Sequence, residues 1–185
     1  MSKQTQETDI VIVGAGPAGC ILSYLLARSG VDTKLVERRR SLSKEFRGYG
    51  FQPPVLRLFD DLDLLEDVLA LPHRKLYSGD IIAYDRSFTM FDWREDSDSF
   101  DYALQMEQGR LLNLLLDEAK ETDSFSYYPG TTVTGLLEEN GEVVGVSARD
   151  RIDNEELTIK SRLVVGADGR YSTVRECAGI PDGQD

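Results

Sequence analysis

The sequence has few of the residues that build metal sites and disulfide scaffolds. Its 185 residues include two cysteines, one histidine and one tryptophan. Cys20, Cys177 and His73 are too few for a Cys/His zinc site, and two distant cysteines do not form a disulfide scaffold. We therefore expect no metal site, free thiols and a cytoplasmic location.

Long apolar runs and positive charge are also scarce. No run of about 18 apolar residues is present, which argues against a transmembrane helix. The most apolar stretch, residues 10–27, follows acidic residues and not the basic ones that open a signal peptide. The 21 Lys and Arg are outnumbered by 33 Asp and Glu, for a net charge of -12. Such a surface repels phosphate backbones, so we do not expect a nucleic-acid partner.

The composition that is present is typical of a folded domain. Hydrophobic residues make up 41% and charged residues 29% of the chain. A length of 185 residues predicts one domain.

The N-terminal part predicts a strand, a helix and a second strand. Residues 9–13 are a continuous β-branched run, typical of a parallel strand buried on both faces. Residues 17–29 carry apolar positions at helical spacing, with Pro17 suited to the first turn and Gly30 to the residue beyond the end. Residues 33–37 form the second strand, which completes a βαβ unit.

The remaining chain predicts a mixed α/β domain. Residues 1–8 and 38–52 are expected to be loops. Asn140–Gly141 is a hairpin signal and predicts an antiparallel meander. The predicted class is α/β, a Rossmann-like dinucleotide-binding domain with a parallel sheet and an antiparallel β-meander. Helices are expected at 53–71 (bent near 60–61), 108–121 and 172–177, and strands at 80–84, 88–93, 102–106, 131–137, 142–150, 155–160 and 162–166.

Residues 14–19 match the pattern G-x-G-x-x-G between the first strand and its helix. Gly14 permits a tight turn out of the strand. Gly16 lacks a Cβ, so a pyrophosphate can approach the backbone, and Gly19 lets the helix pack closely on the strand. The helix N-terminus adds free N–H groups and a positive dipole end. The segment therefore predicts a phosphate-binding turn.

Glu37 ends the second strand, 18 residues after Gly19. A carboxylate at this place can accept hydrogen bonds from both hydroxyls of an adenosine ribose and would repel a 2′-phosphate. The pocket therefore suits FAD or NAD and not NADP. The competing interpretation is that the glycines serve packing alone and that Glu37 is a solvated strand end.

Three later motifs extend beyond a general dinucleotide fold. They are Arg47-Gly48, Gln108 at the head of Gln-x-x-Leu-x-x-x-Leu, and G-A-D-G-x-x-S-x-x-R in residues 166–175. With the glycine turn and Glu37, they make residues 8–181 resemble the N-terminal part of the class A flavoprotein monooxygenases. This is the para-hydroxybenzoate hydroxylase group, with the geranylgeranyl reductases as near relatives.

The resemblance implies an FAD site and identifies no catalytic residue. It assigns the pyrophosphate to the glycine turn, the ribose to Glu37, the adenine side to Arg38 and the linker region to Gln108. Arg47 would reach the pyrophosphate, and Asp168 would serve both FAD and a nicotinamide cofactor. The full implied set is Gly14, Gly16, Pro17, Ala18, Gly19, Glu37, Arg38, Arg47, Gln108, Asp168 and Gly169.

Each assignment outside the turn has a structural alternative. Arg38 begins a run of three arginines that could be a solvated charge run, and Arg47 could pair with Glu45. Gln108 could cap the N-terminus of its own helix. Asp168 could simply close a turn, in which an aspartate before glycine holds nearby backbone N–H groups. We expect Ser172 to cap the last helix.

The function implied by the resemblance is that of an NAD(P)H- and O₂-dependent hydroxylase of an aromatic or polyketide-like small molecule. The alternatives are an FAD-dependent isoprenoid reductase and a non-catalytic adenine-nucleotide-binding module. The strands near residues 80–106 would begin a substrate-facing sheet. The family's later G-D-A-x-H motif does not occur, so we expect an N-terminal part whose C-terminal half is missing. The oligomeric state does not follow from the sequence.

Overall fold

The structure is a computed structural model and describes residues 4–42, 50–96 and 100–181. Its strands are β1 (Gln4–Val13), β2 (Thr33–Glu37), β3 (Gly50–Phe51), β4 (Arg74–Leu76), β5 (Ser78–Ala83), β6 (Arg86–Asp92), β7 (Ala103–Gln105), β8 (Phe125–Pro129), β9 (Thr131–Glu139), β10 (Glu142–Asp150) and β11 (Glu156–Gly166). Its helices are α1 (Pro17–Arg28), α2 (Pro53–Asp61), α3 (Leu65–Ala70), α4 (Trp93–Asp96), α5 (Gln108–Lys120) and α6 (Thr173–Cys177).

The chain divides into two units. Unit 1 comprises Met1–Leu42 and Leu115–Asp185, and unit 2 comprises Ser43–Leu114.

Unit 1 is built on a six-stranded sheet in the order β8-β2-β1-β11-β10-β9. The neighbours from β8 to β11 are parallel, whereas β11, β10 and β9 are antiparallel to one another. The parallel order brings the carboxyl ends of β1, β2 and β11 to one edge, where ligands bind in open α/β sheets.

One face of this sheet carries an apolar core. Complete burial of a Val, Leu or Ile side chain stabilises a fold by roughly 1.5–3 kcal/mol. The other face of β1 and β2 is contacted by α1, whose Cys20, Tyr24 and Ala27 are buried. The core residues are Val11, Val13, Val36, Val133, Val146, Ala148, Leu157 and Ile159.

Unit 2 contains two small antiparallel sheets and short helices. One sheet has the order β3-β7-β4, and β5 pairs with β6 in a two-stranded ribbon. Leu56, Phe59 and Val68 are buried on α2 and α3.

The predicted α/β class with a parallel sheet and a β-meander is confirmed. The helix and strand of residues 17–37 lie where the sequence predicts them, as do the two short helices of 53–71. Asn140 and Gly141 both have positive φ, as a tight hairpin turn requires.

Two expectations about the strands were wrong, and three further strands were not predicted. Residues 4–8 are not a loop, because they pair with residues 157–161 and so extend β1. The separate runs 155–160 and 162–166 form one long strand, β11, which serves both the meander and the parallel sheet. The strands β3, β4 and β8 were not predicted.

No helix within the described ranges is long and apolar enough to cross a membrane. The same ranges contain no group of three or more His, Cys, Asp or Glu side chains placed to hold a metal ion.

Candidate nucleotide-binding site

The glycine turn lies between β1 and α1 and packs against the segment after β11. Gly14 has φ +102°, and a Cβ on it would lie 2.5 Å from the carbonyl oxygen of Ala167. A Cβ on Gly19 would lie 1.9 Å from the carbonyl oxygen of Gly14. Both positions therefore require glycine. Gly14 is needed for the turn and for the close contact with Ala167, and Gly19 is needed for the close approach of α1 to the turn.

Gly16 differs from these two glycines because a Cβ there would meet nothing within 4 Å. It is the N-cap residue of α1, and no side chain caps this helix end. The first turn of α1 contains no acidic residue, and Pro17 and Ala18 are exposed. The end of the helix thus presents backbone N–H groups and positive potential to open space, which is the arrangement that binds phosphate.

Glu37 connects the turn to the end of β2. Its side chain is buried, and one carboxylate oxygen accepts a hydrogen bond of 2.8 Å from the Ala15 N–H. The other oxygen accepts a hydrogen bond of 2.8 Å from the Arg39 N–H. Glu37 is therefore not a solvated strand end. A carboxylate has about four lone-pair sites, so two remain for further donors.

The charge of Glu37 acts on two protonated neighbours. Burial first, and then the charge of Glu37, raises the pKa of the Cys20 thiol to about 12. Burial, then the charge of Glu37, and then the nearby Cys20 raise the pKa of Tyr127, whose hydroxyl is buried. Because both groups stay neutral at ordinary pH, Glu37 is the negative centre of this part of the site.

The segment after β2 is tied to the β8–β9 turn. The Gly130 N–H donates to the Arg39 carbonyl at 3.0 Å, and the Arg151 N–H donates to the Gly130 carbonyl at 3.0 Å. Arg151 Nη1 also donates to the Arg38 carbonyl at 3.4 Å. These bonds fix the backbone of Arg38 and Arg39 against Gly130 and Arg151.

Asp168 organises the segment between β11 and α6. Its Oδ1 accepts a hydrogen bond of 2.5 Å from the Ser172 hydroxyl, and its Oδ2 accepts bonds of 2.7 and 3.2 Å from the N–H groups of Thr173 and Val174. The Ser172 hydroxyl accepts a 3.0 Å bond from the Arg175 N–H, which confirms its predicted N-cap role. Asp168 thus holds backbone N–H groups, as the turn interpretation predicts.

One cleft in unit 1 brings together four predicted residues, Gly14, Glu37, Arg38 and Asp168. Sequence reasoning missed the residues that β9 contributes, because the run 131–137 carries no binding motif. It also missed Tyr171, whose only sequence signal is its place inside the G-A-D-G-x-x-S-x-x-R motif. The cleft is lined by Val13, Gly14, Val36, Glu37, Arg38, Thr131, Thr132, Val133, Asp168, Tyr171 and Thr173.

Seven predicted residues are not among the described residues that line this cleft. Four of them lie at the N-terminus of α1, namely Gly16, Pro17, Ala18 and Gly19. Arg47 falls outside the described residues. Gln108 is the first residue of α5 and is half-buried in unit 2. Gly169 has φ +87° and is exposed beside Asp168.

Comparison with known proteins assigns the chain to a family. Residues 7–185 match the family model described as "FAD binding domain", and the chain belongs to this family. It is 39% identical over 174 residues to 6-methylpretetramide 4-monooxygenase of Streptomyces rimosus, an alignment that covers 94% of this chain and 41% of that protein. It is 28% identical over 178 residues to digeranylgeranylglycerophospholipid reductase of Methanocella arvoryzae, covering 94% of this chain and 42% of that protein.

A solved structure supports the fold. That of p-nitrophenol 4-monooxygenase from Pseudomonas putida superposes with a TM-score of 0.82 at 22% identity, covering 95% of this chain and 44% of the other. The chain therefore spans less than half the length of each of these relatives. The predicted family resemblance and the FAD cofactor are confirmed.

Proposed function

We propose that FAD binds unit 1 with its pyrophosphate on the glycine turn and its adenosine ribose on Glu37. The observation that carries this assignment is the convergence of Gly14, Glu37 and Asp168 on one cleft, with Gly16 and the N-terminus of α1 following Gly14 along the chain. The proposed contacts in unit 1 are Gly14, Gly16, Pro17, Ala18, Gly19, Glu37, Arg38, Asp168 and Gly169, while Arg47 and Gln108 stay predictions from the family resemblance.

The described residues fit this cofactor. The space in front of Gly16 allows a phosphate to reach the backbone, and the N-terminus of α1 supplies N–H groups for its oxygens. Glu37 keeps lone pairs for the ribose hydroxyls while its two backbone bonds hold the carboxylate in place. The backbone of Asp168 lies next to Gly14, and its carboxylate fixes the start of α6, whose Thr173 also lines the cleft.

We infer that the whole protein is an NAD(P)H- and O₂-dependent hydroxylase of an aromatic or polyketide-like substrate. The support is the 39% identity to a named monooxygenase, against 28% to a named lipid reductase. When bound, FAD supplies the hydride-transfer and oxygen chemistry, and the role of this chain is to bind and orient it. A second half of the fold completes the site, and the protein works in the cytoplasm.

Cofactor binding is tested by adding FAD to the purified chain, removing unbound FAD and recording the visible spectrum. We expect flavin absorption to stay with the protein. Glu37→Gln should weaken ADP binding by about 10- to 150-fold, the equivalent of one charge-assisted hydrogen bond. The exposed Glu142→Gln is the matched control and should bind ADP as the wild type does. Colourless protein, or unchanged affinity in Glu37→Gln, would contradict the assignment.

The reaction is tested by following NADH and NADPH oxidation by the FAD-loaded protein with and without O₂ and aromatic substrates. A hydroxylase consumes O₂ in proportion to product. Turnover of an isoprenoid lipid that is insensitive to O₂ would favour the reductase instead. Nucleotide binding without flavin colour or turnover would favour the non-catalytic module.

A further inference from the structure

Tyr171 is a large aromatic residue that unit 1 leaves in solvent. Its side chain is 87% exposed, although burying an aromatic ring is favourable. It lines the same cleft as Glu37 and Arg38. An exposed ring at the edge of a nucleotide cleft has a flat apolar face available to a base.

The backbone that carries this ring is held on both sides. Gly169 turns the chain with φ +87°, and the Ser172 hydroxyl donates to Asp168 Oδ1. The N–H of Thr173, two residues after Tyr171, donates to Asp168 Oδ2 at 2.7 Å. Tyr171 therefore starts from a defined position at the cleft, and little backbone ordering is needed when a ligand arrives.

The ligand's own connectivity places a base in this cleft. With the pyrophosphate on the turn at Gly16 and the ribose on Glu37, the base attached to that ribose lies next to Glu37, in the part of the cleft that Glu37 and Arg38 line. These are the residues with which Tyr171 shares the cleft. We propose that Tyr171 stacks on the adenine of the bound FAD. This inference rests on the proposed FAD site.

Stacking accepts any base with a π-face, so Tyr171 would contribute affinity and not base selectivity. The phenol hydroxyl has no part in this role. Tyr171→Phe should consequently keep the function, whereas Tyr171→Ala should lose it.

The test is calorimetric titration of ADP into the wild type, Tyr171→Ala, Tyr171→Phe and Tyr84→Ala. Tyr84 is 99% exposed in unit 2 and serves as the matched control. We expect Tyr171→Ala to weaken ADP binding by about 5- to 150-fold, and the other two variants to stay within about threefold of the wild type. Inorganic pyrophosphate should bind the wild type and Tyr171→Ala equally, because it carries no base.

The outcomes separate the two proposals. If the wild type does not bind ADP, the proposed site fails and the stacking role fails with it. If the wild type binds ADP and Tyr171→Ala binds it equally well, only the stacking role is overturned. A second titration distinguishes the source of the adenine: FAD into the free protein should show the loss, and NADH into the FAD-loaded protein should not. A loss confined to NADH would overturn the assignment to the FAD adenine.

Discussion

Replacing Gly19 by alanine tests whether α1 packs against the glycine turn as closely as the structure shows. The added Cβ would lie 1.9 Å from the Gly14 carbonyl oxygen, far inside the 3.4 Å at which ordinary van der Waals contact begins. The oxygen belongs to the backbone of a tight turn, so no side chain can rotate away to relieve the overlap. Either α1 or the turn must move.

The expected cost combines two opposing effects. Overpacking of this kind costs about 1–3 kcal/mol. Alanine is more favourable than glycine inside a helix by about 0.8–1.0 kcal/mol, which offsets part of that cost. An overlap this deep with backbone atoms belongs in the upper part of the overpacking range, about 2–3 kcal/mol. The net loss in unfolding free energy should therefore be about 1–2 kcal/mol, or a fall in Tm of roughly 2–8 °C for a domain of this size.

Urea denaturation followed by circular dichroism measures this loss. Gly135→Ala is the control, since a Cβ at Gly135 meets nothing within 4 Å. That variant should stay within about 0.5 kcal/mol of the wild type. Equal stability of Gly19→Ala and Gly135→Ala would refute the packing role of Gly19.

Three further predictions concern the same unit. Gly16→Ser should keep or raise stability, because serine is a favoured N-cap, but its side chain would block the phosphate and weaken FAD binding by about 10- to 150-fold in titrations. Asp168→Ala should lower the unfolding free energy by about 1–2 kcal/mol in urea, and Asp168→Asn by less, since the amide oxygen still accepts a bond. A thiol reagent at pH 8 should label Cys177, which is exposed, and leave Cys20 unlabelled until the protein unfolds. The raised pKa of about 12 keeps Cys20 neutral at that pH, and two rapidly labelled thiols in the native protein would contradict its burial.

The local sequence was sufficient to predict the β1–α1–β2 unit. A β-branched run defines the buried part of β1, Pro17 begins α1, and Gly30, with φ +73°, follows its end. Each of these features acts on residues only a few positions away along the chain, so it favours the same local structure in any fold. The Asn140–Gly141 turn and the Ser172 N-cap were predicted for the same reason.

Strands that depend on a distant partner could not be predicted in this way. Residues 4–8 are polar, but they extend β1 because the long strand β11 offers them backbone donors and acceptors. β8 carries strand-favouring aromatic residues but is only five residues long, and its place in the sheet is set by pairing along the edge of β2. In both cases the hydrogen-bond partner lies about 90 or more residues away along the chain.

The candidate site also has some features that the local sequence predicts and others that depend on the tertiary structure. The glycine motif and the acidic residue that follows it indicate a dinucleotide and could be read directly from residues 14–37. The tertiary structure alone decided that Glu37 holds the Ala15 and Arg39 N–H groups, and that β9 and Tyr171 face the same cleft. Motifs arise from constraints on neighbouring residues, whereas a cleft is formed by strand ends that meet only when the sheet assembles.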